Sequence, residues 1–205
     1  MKIWGRVSSI NVQKVMWTVS ELGLEHERID AGGSFGRLDT PEFGALNPNR
    51  KVPVLEDGEV VLWESNAIVR YLAARHGAGS LWPEDPARRA LSDRWMDWKT
   101  ATLIPDMTVV FWGLIRTPEA ERNTAAIEAA AARMVPNWRI LDAHLGGRPY
   151  VLGDALTIGD IALGAAVHRY LNLPLARPAL PAVEAYYERL KARPAYRDHV
   201  MLPVT

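Results

Sequence analysis

The stretch 47–66 restricts what this chain can fold into more than any other. Residues 52–56 and 60–63 have strand composition, and Asp57-Gly58 between them suits a two-residue hairpin turn with positive φ. Pro53 has no N–H to donate, so it belongs at the strand's first residue or beside it, which leaves the Val52 backbone free to pair outside the sheet. The second strand runs straight into Glu64-Ser65-Asn66 and a helical pattern of Ile68, Val69, Tyr71 and Leu72. A serine at a helix start, among free backbone N–H groups, is a carboxylate site, and Glu64 beside it offers a carboxylate to an ammonium. A free strand edge, an anion site and a cation site in one short stretch suit a zwitterionic peptide.

The chain before that hairpin supplies a sheet for it. Residues 2–5 form a short strand, and Val12, Val15, Met16, Val19 and Leu22 then follow helical spacing until Gly23 stops them. Residues 27–30 read as a second strand, and a strand–helix–strand unit of this size pairs its strands in parallel with a right-handed crossover. Thr40-Pro41 looks like an N-cap and first position for a short helix through 43–46. The order β-α-β-α-β-β-α is the thioredoxin arrangement, a mixed sheet with helices on both faces. Gly77, Gly79, Ser80, Pro83 and Pro86 mark 77–86 as a linker.

Beyond it the sequence predicts only helices. Asp85-Pro86 opens one through Leu91, Trp95 and Trp98 that Pro105 kinks or divides. Thr117-Pro118 opens another, with Ile127, Met134, Trp138, Leu141 and Leu145 on one face, a bend at Pro136 and a stop at Gly146-Gly147. Thr157 to Asp160 is a capping box, with Leu156 and Ile161 placed as its hydrophobic staple. The last helix lies near 182–191. The expected fold is therefore an α/β thioredoxin-like domain over 1–78 followed by an all-α domain over 87–205.

Composition excludes several functions. Lys+Arg and Asp+Glu both number 24, so nothing argues for nucleic acid or an acidic membrane surface. No apolar run approaches bilayer length, and Met1-Lys2-Ile3-Trp4 enters a strand without signal-peptide character, so a cytoplasmic location is expected. The five histidines show no ligand spacing, and no metal is expected. The chain has no cysteine, so any thiol chemistry must use a sulfur that the ligand brings.

Val52-Pro53 followed by Glu64-Ser65 resembles the glutathione-binding half of the glutathione S-transferases, and Thr157-x-x-Asp160 after a leucine resembles the buried capping box of that family's helical domain. The resemblance spans nearly the whole chain. It implies a cis Pro53, a Val52 backbone paired with the cysteinyl unit of glutathione, and Glu64 and Ser65 holding the γ-glutamyl amine and carboxylate. It implies that a basic residue, Lys51 or Arg37, reaches the glycyl carboxylate. It also implies a homodimer, and a pocket for a small hydrophobic electrophile between the first-strand loop and the helix around 104–112, lined by Val7, Met107, Phe111 and Trp112. Arg50 stands where a glycine is frequent in the family.

A free thiol with a pKa near 8.5 is only about 3% thiolate at pH 7, so such an enzyme must stabilise the anion. The family's donors lie where the first strand gives way to its helix, here Arg6-Val7-Ser8-Ser9-Ile10-Asn11. In Ser-using branches the serine stands five residues before a basic residue, as Ser9 does to Lys14. A bacterial Thr-x-Asn branch is matched by Ser9 and Asn11. The loop has no tyrosine and the chain no cysteine, so the Tyr- and Cys-using branches do not fit. Ser9 is the first candidate donor, Asn11 the second and Ser8 a third; either Ser9 or Asn11 also suits a plain N-cap. The resulting expectation is a glutathione transferase with glutathione as co-substrate. The alternatives are a glutathione-dependent disulfide reductase using the same site, and a non-catalytic glutathione-binding module.

Overall fold

A computed structural model describes residues 1–205. Strand β1 (Lys2–Trp4) leads through helix α1 (Ile10–Glu21) to β2 (Glu27–Ile29), which pairs with it in parallel, Lys2 opposite Glu27 and Trp4 opposite Ile29. Helix α2 (Pro41–Leu46) starts at Thr40, whose hydroxyl accepts from the Phe43 amide at 3.2 Å. Strand β3 (Val54–Asp57) runs antiparallel to β1, and β4 (Val60–Trp63) closes the hairpin, giving the sheet order β2-β1-β3-β4. Helix α3 (Ser65–His76) follows at once. This is the thioredoxin-like arrangement anticipated from the pattern of elements.

Two details of the hairpin differ from the sequence expectation. The ladder begins at Val54 rather than Val52, because Pro53 cannot donate to it. The turn is Gly58-Glu59 rather than Asp57-Gly58, since Asp57 pairs with Val60. The Asp57 carboxylate is engaged across the sheet by the Tyr71 hydroxyl of α3 at 2.9 Å, which keeps it in the strand. Gly58 then takes the first turn position at φ +63, which suits a type II′ turn.

Pleating divides the sheet's side chains between two cores. Trp4 and Val54 face a small cluster with Ala31 and Phe43 under α2. Ile3 and Leu55 face the main core, which runs without a break from α1 and α3 into the helices beyond the sheet.

Those helices begin with α4 (Pro86–Trp98), capped by Asp85, whose carboxylate accepts from the Ala87 and Arg88 amides. A wide π turn at Lys99–Leu103 joins it to α5 (Ile104–Phe111), and a second at Trp112–Arg116 ends the run. Pro105 sits in the first turn of α5, directly after this π segment interrupts the regular α-helical bonding, so the helix is divided there as the sequence suggested. Helix α6 (Thr124–Leu145) starts later than Thr117-Pro118 suggested. Arg122 donates back to the Leu114 and Thr117 carbonyls and ties 117–123 into a loop, and Asn123 caps the helix through the Ala126 amide at 3.0 Å. Pro136 lies within α6 without ending it.

Helix α7 (Ile158–Asn172) is buried along nearly its whole length. Helix α8 (Pro181–Lys191) is followed by a helix the sequence did not disclose, α9 (Pro194–His199). With six residues α9 has too few turns for a periodic stripe. It is held by Tyr196, which packs edge-on against Trp17 at 4.8 Å and donates to the Gly164 carbonyl at 2.8 Å. No helix is long and apolar enough to cross a membrane.

Candidate active site

Residues just past the end of β1, the starts of α1 and α3 and the segment before β3 converge on one corner of the sheet. A Cβ on Gly5 would lie 3.2 Å from that of Val52 and against the Val12 side chain, and one on Gly32 would lie 3.7 Å from Val52 Cγ1. The Val52-Pro53 peptide is cis. Neither the N–H nor the C=O of Val52 bonds to another group of the chain, so this is an open backbone edge beside the sheet. The approach to it is fixed by buried Asn47, whose amide donates to the Lys51 carbonyl at 2.7 Å. Arg50 adopts φ +52, a left-handed conformation that favours glycine, and folds its guanidinium back onto the Leu38 carbonyl at 2.8 Å. Lys51 and Arg37 are both exposed on this side of the sheet.

At the start of α3, Glu64 occupies the N-cap position with φ +70 and Ser65 the first helical position. Ser65 is buried and Glu64 exposed. No side chain accepts from the first amides of α3, so the helix start offers N–H groups and the positive end of the helix dipole to an anion. Beside it lie two lysines that the sequence reading passed over as chemistry. Lys14 and Lys99 are only 2% and 1% exposed. Lys14 Nζ donates to Asn66 Oδ1 at 2.8 Å, and Asn66 in turn donates to the Met96 carbonyl at 3.3 Å. No carboxylate lies within ion-pair distance of either ammonium. Burial lowers both pKa values, Lys99 to about 8, and each also feels a neighbouring cation. The signal in the sequence was Lys14 set between Ile10 and Thr18 at intervals of four, on the buried face of α1.

At the start of α1, Ser9 is the N-cap residue, with φ −81 and ψ 119, yet its hydroxyl accepts no amide hydrogen bond. Its carbonyl closes the first helical bond, from the Gln13 amide at 2.9 Å. The hydroxyl is left for another partner. Ser8 and Ser9 open onto a cleft of about 440 Å³ whose far wall is Thr108, Phe111 and Trp112. Asn11 is exposed on the first turn of α1 and does not line this cleft.

The lining differs from the apolar pocket the sequence suggested. Met107 points into the core with Leu103 and Val110 and is only 2% exposed, because the cleft takes the α5 face at 108, 111 and 112, spaced i, i+3, i+4. Val7 is exposed but lies outside the cleft. In their place stand Arg6, Arg116 and Arg169, brought from three distant segments with no spacing to reveal them. No group of three or more His, Cys, Asp or Glu side chains is arranged to hold a metal.

Comparisons with known proteins point to one family. A model of the glutathione S-transferase N-terminal domain matches residues 1–74, and one of the C-terminal domain matches residues 124–189. The sequence is 43% identical to glutathione S-transferase GstB of Escherichia coli (strain K12) over 205 residues, covering 99% of each chain. It is 31% identical to glutathione S-transferase 3 of Zea mays, covering 98% of this chain and 93% of the relative. Among solved structures, the fold superimposes with a TM-score of 0.96 on a theta class glutathione S-transferase from Xanthomonas axonopodis pv. citri with glutathione bound, 48% identical and covering 100% of this chain and 98% of the other.

Proposed function

The chain belongs to the glutathione S-transferase family, and on that premise we propose that the corner between α1, α3 and Val52 binds glutathione and that Ser9 ionises its thiol. The chain is a glutathione transferase with glutathione as its co-substrate. In the proposed site, residues 1–78 form the glutathione-binding part and 87–205 the helical part that faces the electrophile. The cysteinyl backbone pairs with the free edge at Val52, beside Pro53. The γ-glutamyl carboxylate takes the first amides of α3 and Ser65, the amine takes Glu64, and the glycyl carboxylate takes Lys51 or Arg37.

The observation that carries this reading is the uncapped start of α1: the Ser9 hydroxyl has no amide to satisfy and borders the cleft. A hydroxyl donating to sulfur, with the positive end of α1 behind it, favours the thiolate. Each pKa unit of stabilisation corresponds to about 1.4 kcal/mol, so one or two units turn a minority thiolate into the main species at pH 7. Asn11, on the same turn, is the second donor. The thiolate then attacks an electrophile whose apolar body rests on Phe111 and Trp112, and catalysis is positioning plus electrostatic stabilisation. A homodimer in the cytoplasm goes with the same reading.

Ultraviolet titration of the bound thiolate tests it. The parent is expected to show a pKa one to two units below that of free glutathione, and Ser9→Ala to bring it most of the way back, with Asn11→Ala giving a smaller change. If neither substitution moves the thiol pKa or the turnover, the donor assignment is wrong.

A further inference from the structure

We propose that the cleft beside Ser9 selects an electrophile that carries an anionic group, held by Arg6, Arg116 and Arg169, next to the apolar body that Phe111 and Trp112 receive. The inference rests on the transferase reading above and names the chemical class of its second substrate.

The argument begins with how this chain treats its other arginines. Arg28 is paired with Asp30, Arg70 with Asp93 and Asp97, and Arg193 with Glu21. Arg50, Arg122 and Arg177 end on backbone carbonyls. Arg6 and Arg169 break this habit although both are partly buried; the other arginines without either kind of partner, Arg37, Arg88, Arg94 and Arg139, are exposed, and Arg89 lies over the Trp82 ring. Neither Arg6 nor Arg169 has a side-chain carboxylate within ion-pair distance, and neither donates a side-chain hydrogen bond to any group of the chain. Arg116 has a single partner, the Thr205 carbonyl oxygen at 2.7 Å.

Three guanidinium groups at one cleft repel one another, and partial burial adds to the cost of keeping Arg6 and Arg169 charged. Burial and the charges of Arg116 and Arg6 bring Arg169 down to about 10, and burial and Arg116 lower Arg6. The fold nevertheless makes room for the cluster. The Arg6 side chain lies over Gly32 and Gly33, where added Cβ atoms would come within 2.9 and 3.1 Å of it. Arg169 and Arg116 lie 4.2 and 5.6 Å from the Phe111 ring centroid, so the aromatic wall also helps hold the cations. An anion entering the cleft relieves the repulsion, accepts from several planar donors at once, and is fixed relative to the sulfur at Ser9. The tripeptide's two carboxylates are already assigned to the α3 start and to Lys51 or Arg37, which leaves this charge for the other substrate.

A matched pair of aromatic electrophiles tests the proposal: 4-chloro-3-nitrobenzoate, an anion, and its neutral methyl ester. In each the thiolate sulfur bonds to the ring carbon bearing chlorine, the carbon–chlorine bond breaks, chloride leaves with the electron pair, and the thiol proton has already passed to solvent. The readout is kcat/KM at saturating glutathione, divided by the uncatalysed rate, for the full-length protein. The parent is expected to favour the anion by about 100-fold, and added salt to reduce that preference. Arg116→Gln at the exposed edge, and separately Arg6→Met and Arg169→Met, are expected to lower the anion-to-ester ratio by about 10- to 100-fold each. Equal use of both compounds by the parent overturns the proposal while leaving the transferase reading standing. So does a loss in the variants that tracks a rise in the KM for glutathione, which assigns the arginines to the tripeptide. If neither compound is conjugated and bound glutathione shows no thiolate, the transferase reading fails and takes the proposal with it.

Discussion

The helix starts of this molecule fall into two groups. In α2, α4 and α6 a side chain one residue before the helix accepts from its first amides: Thr40, Asp85 and Asn123. At α8 the acceptor comes from elsewhere, Asp142 taking the Ala182 and Val183 amides at 2.8 and 2.9 Å. At α7 the box is complete and buried: Asp160 accepts from the Thr157 and Val151 amides at 2.8 and 2.9 Å and from the Tyr186 hydroxyl at 3.1 Å. At α1 and α3 nothing accepts, although Ser9 stands where a cap belongs. Apart from α5, which continues directly from a π turn, only short α9 shares that condition, and its neighbour Arg193 is tied to Glu21. An unsatisfied helix end costs stability. This chain keeps two of them together at the corner proposed to bind glutathione and closes nearly all the rest. The same local device therefore serves stability in one place and binding in the other, and the difference lies in whether the protein supplies the acceptor.

Removing the acceptor where it is supplied has the largest expected effect. Asp160→Ala removes the buried acceptor of two amides and of the Thr157 and Tyr186 hydroxyls and is expected to cost about 3–5 kcal/mol in urea unfolding. A loss below about 1 kcal/mol breaks the contrast. At the open end, Ser9→Ala is expected to lower kcat/KM by about 10²- to 10³-fold, a loss of one donor to developing charge, while the unfolding midpoint barely moves. A stability loss near 1 kcal/mol with full activity makes Ser9 an ordinary cap after all.

The lysines behind the site sharpen the comparison further. Lys99 is a buried base whose pKa falls to about 8. Its stability contribution is complete above the unfolded lysine pKa of about 10.4 and is lost as pH falls through about 8, a span of roughly 3 kcal/mol. Lys99→Met is expected to gain about 1–3 kcal/mol at pH 7, with the difference from the parent narrowing as pH rises from 8 to 10. A parent that loses ground to Lys99→Met over that interval contradicts this account. The smallest effect belongs to Glu64→Gly. Relieving a left-handed non-glycine residue is expected to gain about 0.5 kcal/mol, while the KM for glutathione rises about tenfold as the amine loses its partner. Opposite signs from one substitution mark a residue kept for binding at the expense of the fold.

Local spacing made much of this visible in advance. Thr40-Pro41, Thr157 with Asp160, and the run from Val52-Pro53 into Glu64-Ser65 each lie within one short window of sequence, and the structure builds an element from each. Features depending on contacts between distant segments were not visible. Arg6, Arg116 and Arg169 meet only after the helices pack, so no window of sequence contains them. The lining of the cleft differs from the expected one because apolar residues on α5 serve two faces, and only the fold decides that Met107 goes to the core and Thr108 to the cleft. Helix α6 began late because the Arg122 bonds to Leu114 and Thr117 were not legible from Thr117-Pro118. The left-handed Glu64 is likewise set by the hairpin feeding directly into α3, not by its own preference.

Trp17 sits fully buried on α1 with its ring against Tyr196 of α9 and close to Gly164 of α7. One indole is thus a rivet through both halves of the molecule. Packing of this kind ties the placement of α7, which carries Arg169, to that of α1, which Ser9 precedes. A chimaera that joins 1–78 to a relative's helices inherits the pin without its socket.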